Sequence, residues 1–157
     1  MPRHILKWGV LPGIASVALL GAVVFIADGE GPRPARAAAN AVTFPPLDAL
    51  VHYTTVNRGS TREHMLTSRA ALDAIKAGQP VPVGTHMVLV DYQSDVLHRY
   101  LVSQKTGSGV DDWQFQWFWP DQSVKADENV AQCYSCHQRS RRDRQFMFTF
   151  SDALSFE

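Results

Sequence analysis

The clearest pattern in the chain is Asp112–Trp119, where Trp113, Phe115, Trp117 and Trp119 alternate with Gln114 and Gln116. Period-two alternation puts those aromatics on one side of a strand and the glutamines on the other, a spacing no helix produces. Thr85–Tyr92 follows a turn at Pro82-Val83-Gly84 and is rich in β-branched and apolar residues; Val96–Ser103 repeats the type, so both are predicted strands. Gln145–Phe150 alternates again, with Phe146, Phe148 and Phe150 on one side, and a further strand is expected over about Thr61–Leu66. Two stretches read as helical. Thr67–Gly78 opens on capping residues, continues with good helix formers and stops at glycine. Val124–Arg141 has helical composition, with Asp127 and Glu128 where the first turn of a helix favours acids. The predicted fold is mainly β, of the α+β class: a small antiparallel sheet with one strongly aromatic face and a few short helices.

The first forty residues follow another pattern. Arg3, His4 and Lys7 precede an uncharged apolar run, Trp8–Ala27, and Ala35-Arg36-Ala37 and Ala37-Ala38-Ala39 offer small-x-small cleavage sites. Residues 1–39 therefore read as a signal peptide or a membrane anchor plus linker, with 28 to about 43 as disordered linker. In either case the positive-inside rule keeps Arg3 and Lys7 cytoplasmic and carries the rest across, into the periplasm in a bacterial setting. A membrane association is expected only if the segment stays uncleaved. Residues 40–157 form one domain-sized unit.

From Asn40 onward there are 11 Lys and Arg against 13 Asp and Glu, a mildly acidic domain with no electrostatic reason to expect nucleic acid. The basic run Arg139, Arg141, Arg142, Arg144 is a solvated surface, or a patch for anionic groups or an acidic redox protein.

The chain's only cysteines lie in Cys133-Tyr134-Ser135-Cys136-His137, a C-x-x-C-H sequence. This is the attachment signature of a c-type haem: two thiols about one helical turn apart meet the two vinyl groups, and the histidine that follows binds the iron. A redox dithiol, two zinc ligands and a plain disulfide are the alternatives. Zinc would need a second ligand pair, whereas His52, His64, His86 and His98 are single and dispersed. The reading is one covalently attached haem c, held by Cys133 and Cys136, with His137 as iron ligand.

In this order and spacing, Arg62 to Phe150 resembles the cytochrome P-460 family, which includes the β-type cytochromes c-prime. The matching features are the Arg-bearing strand and short helix (Arg62 to Gly78), Gly84-Thr85, the Trp113, Phe115 and Phe118 pattern, C-x-x-C-H, and Asp143 with Phe146, Phe148 and Thr149. The resemblance implies a small antiparallel β domain holding a five-coordinate haem whose far face is open to a small nitrogen-oxide or gaseous ligand such as nitric oxide. Some members oxidise hydroxylamine and carry a lysine covalently joined to the haem. That position here is Leu89, so the resemblance points away from the crosslink and disfavours hydroxylamine oxidation. Arg62 falls at the family's distal arginine position.

If Leu89 points at the haem, alternation sends Met87 to the same side, and His64 shares the side of Arg62. Arg62, His64, Met87 and Leu89 are thus the distal-pocket candidates. Two further functions stand beside ligand binding: an electron-transfer cytochrome c, which needs a second strong ligand such as His64 or Met87, and a hydroxylamine-oxidising oxidoreductase. A redox protein partner and a homodimer are both compatible with the sequence.

Overall fold

The computed structural model describes residues 40–157; the apolar run, the cleavage sites and the linker read over 1–39 lie outside them. Five strands pair in chain order, each antiparallel to the next: β1 (Val51–Arg58), β2 (Thr61–Thr67), β3 (His86–Gln93), β4 (Val96–Lys105) and β5 (Trp113–Phe118). The meander is possible because its turns are short. Gly59, with φ +60, opens the two-residue link between β1 and β2, and Ser94 and Asp95 both take positive φ in the link between β3 and β4, as tight hairpins demand. Three helices complete the domain: α1 (Arg69–Lys76), α2 (Val130–Arg141) and α3 (Phe150–Ser155). Among the described residues no helix is long and apolar enough to cross a membrane.

Strand register decides what each side of the sheet carries. Cross-strand partners form rows on one face: Thr67, Met87, Ser103 and Phe115; then Met65, Leu89, Leu101 and Trp117; then Glu63, Asp91 and Arg99. The opposite face carries Val88, Val90, Tyr100, Val102 and Phe118, covered by Val42, Phe44, Leu47 and Leu50 from the segment before β1. The first face packs against α1, α3 and the chain before α3, through Leu72, Ile75, Phe146, Met147 and Ala153. Helix α1 starts where the Ser68 hydroxyl accepts from the Ala71 N–H at 3.2 Å and ends at Gly78, whose φ of +66 stops helical propagation.

Several sequence expectations need correction. The segment 40–43 is not loose linker: Asn40 Nδ2 donates to the Gln116 side chain at 2.7 Å, and the Thr43 N–H donates to Gln104 Oε1 at 3.1 Å. Strand β1 did not figure among the predicted elements. Trp119 lies beyond β5, with Lys125 Nζ 4.5 Å from its ring. Residues 124–129 are not helical, because the Val124 bridge to Phe118 and the Lys125 N–H donating to the Trp117 carbonyl hold that stretch along β5. Asp127 and Glu128 precede α2 and pair with Lys125. Gln145–Phe150 is not a strand: Gln145 and Phe146 adopt positive φ of 50° and 65°, which extended chain excludes. The Gln145 side chain pins this turn, accepting from the Val81 N–H at 2.6 Å and donating to the Gln79 carbonyl at 3.1 Å.

Candidate functional site

Between the aromatic face of the sheet and residues 146–149 lies a cavity of about 380 Å³. Its floor is made by Met65, Met87, Leu89, Leu101, Phe115 and Trp117, and its roof by Phe146, Met147, Phe148 and Thr149. A second cavity of about 310 Å³ adjoins it and shares Leu101, Trp117, His137 and Phe148; Cys133 and Cys136 line this second space. Both volumes lie in the ~300–1,000 Å³ range of small-molecule and cofactor sites. The lining is mostly apolar because the two facing rows of the sheet are.

Helix α2 brings the C-x-x-C-H residues to this boundary. Cys133 and Cys136 are free thiols, one half-buried and one exposed. Burial pushes the Cys133 thiol up, with a hydrogen bond from Trp117 partly opposing it. The three-residue spacing puts both sulfurs on one side of the helix. No side chain of α2 is fully buried; Val130, Cys133 and Tyr134 only rest against the core.

His137 stands where the two cavities meet. Its Nδ1–H donates to the Phe146 carbonyl, and its ring lies 4.8 Å from both the Phe115 and Phe148 rings. Burial lowers its pKa; the bond to Phe146 raises it, and Arg141 lowers it further. A neutral imidazole with Nδ1 so engaged presents Nε2 as a lone-pair donor, the tautomer a metal ligand needs. Nε2 makes no hydrogen bond among the described residues. The turn that the sequence patterning mistook for a strand is therefore what delivers the Phe146 carbonyl to His137.

Polar groups gather at the far end of the cavity floor. Glu63 lines the cavity with its side chain 12% exposed; Arg58 Nη1 donates to Glu63 Oε1 at 3.1 Å and lies 3.0 Å from Oε2. Beside it, outside the cavity lining, Asp91 Oδ2 accepts from Arg99 Nε at 3.1 Å, and Arg99 Nη1 donates to Glu128 Oε1 at 2.7 Å. The Arg99 guanidinium lies 4.0 Å over the Trp117 ring. Glu63 is not among the sequence candidates, although Glu63 and Met65 alternate with Arg62 and His64 and so share the cavity side.

Of the distal candidates, Met87 and Leu89 line the cavity together with His137. Arg62 and His64 do not, which corrects the expectation for both. They pair with Tyr92 and Val90 on the opposite face, and a one-residue step along a strand reverses the side a side chain takes. Arg62 there pairs with Asp95 at 2.9 Å and lies over the Tyr92 ring. His64 stacks on His52 with ring centroids 4.8 Å apart, and its pKa is lowered by burial, then by His52 and Arg62. In the basic run, Arg142 reaches Asp111 at 3.8 Å and Arg141 lies over Phe148.

These residues fit a planar, apolar, iron-bearing guest. Two thiols flank one edge of the joined cavities, an imidazole offers a free nitrogen at their junction, and aromatic and aliphatic side chains supply the walls. Trp113 lines the cavity as well, and its buried Nε1–H has no hydrogen-bond partner among the described residues. Among the described residues no group of three or more His, Cys, Asp or Glu is arranged to hold a bare metal ion, whereas a haem iron asks the protein for only an axial ligand. No protein-family model matches the chain, and no curated protein matches it in sequence.

Proposed function

We propose that this domain is a monohaem c-type cytochrome of the P-460 type, exported to the periplasm. Cys133 and Cys136 form thioethers to one haem c, His137 Nε2 binds its iron, and the opposite face is open to a small nitrogen-oxide ligand such as nitric oxide. The observation that carries this reading is the pose of His137: one residue after a free thiol, Nδ1 engaged by the Phe146 carbonyl, on the wall shared by two adjoining apolar cavities. When bound, the group supplies a redox-active iron able to take a diatomic ligand. The chain's part is to fix the imidazole tautomer, exclude water with Phe115, Trp117 and Phe148, and offer ligand space lined by Met87 and Leu89. The exposed basic residues after α2 suit an acidic redox partner.

An electron carrier is the second reading, favoured by the methionines on the cavity wall. His64 is on the other face of the sheet, which leaves the thioethers of Met65, Met87 and Met147 as the sulfur ligands within the cavity. The hydroxylamine-oxidising reading is disfavoured because Leu89 has no nucleophilic atom and, among the described residues, no lysine lines the cavity. One preparation tests all three. Haem should remain with the denatured chain under acidic organic extraction, and Cys133→Ala with Cys136→Ala should release it. The intact mass should equal the exported chain plus one haem with no lysine crosslink. Carbon monoxide should shift the spectrum of the reduced protein at once. Extractable haem refutes the attachment, a crosslinked peptide refutes the Leu89 assignment, and a spectrum indifferent to carbon monoxide favours the carrier.

A further inference from the structure

A third cavity, of about 260 Å³, lies where the end of β4 meets the start of β5. Lys105, the last residue of β4, is the cross-strand partner of Trp113, the first of β5. Alternation from Ser103 and Phe115 puts both on the apolar face of the sheet. Both are buried, at 3% and 5% exposure, whereas Gly78, Pro80, Ser108 and Val110 are exposed and form the rim. The cavity thus opens to solvent and closes on an amine and an indole. Among the described residues it shares only Trp113 with the cavity that His137 lines, so a solute entering over the rim does not pass the iron site.

A buried amine needs partners, and Lys105 has fewer than it can use. A charged lysine Nζ carries three donors. One goes to the Gly109 carbonyl, and the Trp113 ring centroid lies 5.5 Å from Nζ. The acids whose fields reach it are turned elsewhere: Asp112 Oδ2 accepts from the Gly109 N–H at 2.6 Å, and Asp111 Oδ2 lies 3.8 Å from Arg142 Nη2. Burial lowers the Lys105 pKa, with Asp112 and Asp111 opposing. Lysine is almost never fully buried unless paired. Beside it the buried Trp113 Nε1–H has no hydrogen-bond partner among the described residues. Two under-used donors on the wall of one cavity call for an acceptor from outside the chain.

We propose that this cavity binds a small free monocarboxylate, of the acetate class, between Lys105 Nζ and the Trp113 indole N–H. The two carboxylate oxygens match the two donors, and Pro80 and Val110 offer apolar surface to a short tail. One ammonium neutralises one negative charge, so a doubly charged phosphate is the poorer fit. The inference goes beyond the haem reading and does not depend on it, because apart from Trp113 the two cavities have separate walls.

The test is isothermal titration calorimetry of the full-length protein at neutral pH and constant ionic strength, with sodium acetate as probe and sodium phosphate beside it. Acetate should bind at a single site with a Kd on the order of 1 mM. Lys105→Met should weaken acetate by about tenfold or more, and Lys105→Arg should hold it within about threefold. Trp113→Phe, which keeps a ring and removes the N–H, should weaken it by about threefold or more. The Trp113 indole N–H resonance of the wild type should move with the same midpoint, which keeps the claim open to refutation even if Lys105→Met does not fold. A wild type without saturable acetate binding overturns the proposal. So does acetate affinity unchanged in Lys105→Met, an unmoved Trp113 resonance, or phosphate binding more tightly than acetate. A haem propionate seated on Lys105 would leave no room for acetate and would overturn it too, and Lys105→Met would then shift the haem spectrum. Haem lost from the denatured wild-type chain would refute the cofactor alone and leave this titration as it is.

Discussion

Tyr53→Phe probes the strut that holds the roof of the cavity to the sheet. Tyr53 on β1 is 7% exposed, and its hydroxyl lies 2.6 Å from Thr149 Oγ1, three residues after the Phe146 carbonyl that orients His137. Burial is the largest influence on the phenol; with the Thr149 hydrogen bond opposing and Asp152 adding, its pKa rises from 10.0 to about 12. A pKa raised on folding contributes stability that is complete below the unfolded value and is lost as pH climbs through the folded one. Two units correspond to about 2.7 kcal/mol, surrendered between about pH 10 and 12. Phenylalanine has no proton to lose, so the variant should lose correspondingly less stability across that window, while Tyr100 and Tyr134, both raised by burial, still titrate in it. At pH 7 it should instead be less stable by about 1–3 kcal/mol, because the buried Thr149 hydroxyl loses its partner. Adding Thr149→Val should recover part of that loss, since removing both partners leaves nothing unsatisfied. Urea denaturation followed by far-ultraviolet circular dichroism at neutral and alkaline pH measures both effects. Wild-type and Tyr53→Phe curves that lose stability in parallel above pH 10 would refute the assignment of that loss to Tyr53.

Two other changes separate the site from the scaffold. His137→Ala should keep haem attached through the two thioethers but change its spin state and weaken electron donation to the iron, with added imidazole restoring the spectrum; an unaltered spectrum would name another axial ligand. Leu72→Ala, at a fully buried position on α1, should cost about 2–5 kcal/mol in a urea titration while leaving the haem spectrum intact, because Leu72 is not on the cavity lining. A loss well below that range would mean the α1–sheet core collapses around the deletion.

The features legible along the chain are local ones. The alternation at Trp113, Phe115 and Trp117 reports a strand with one aromatic face, because side-chain direction repeats every two residues whatever the partner strand is. Ser68 and Gly78 bracket α1 through backbone bonds and dihedrals confined to a dozen residues, and the C-x-x-C-H spacing holds on any helix. Strand β1 was harder to read: a bulge between His52 and Thr54 breaks its alternation, and Tyr53 sits at that break. Pairing and register belong to the tertiary structure. The family resemblance implies a distal side for Arg62, and alternation sends His64 with it, but the partners Tyr92 and Val90 place both on the other face, where Glu63 and Met65 could not follow. Glu63 stands far from Asp91 and Arg99 in the chain, and the three charges become one row only when three strands align. The chain at Gln145 and Phe146 looks extended by its phenylalanines, yet Val81 and Gln79 capture the Gln145 side chain and turn the backbone. Periodicity is a property of neighbouring residues, whereas the turn that brings the Phe146 carbonyl to His137 depends on hydrogen bonds made across more than sixty residues of chain.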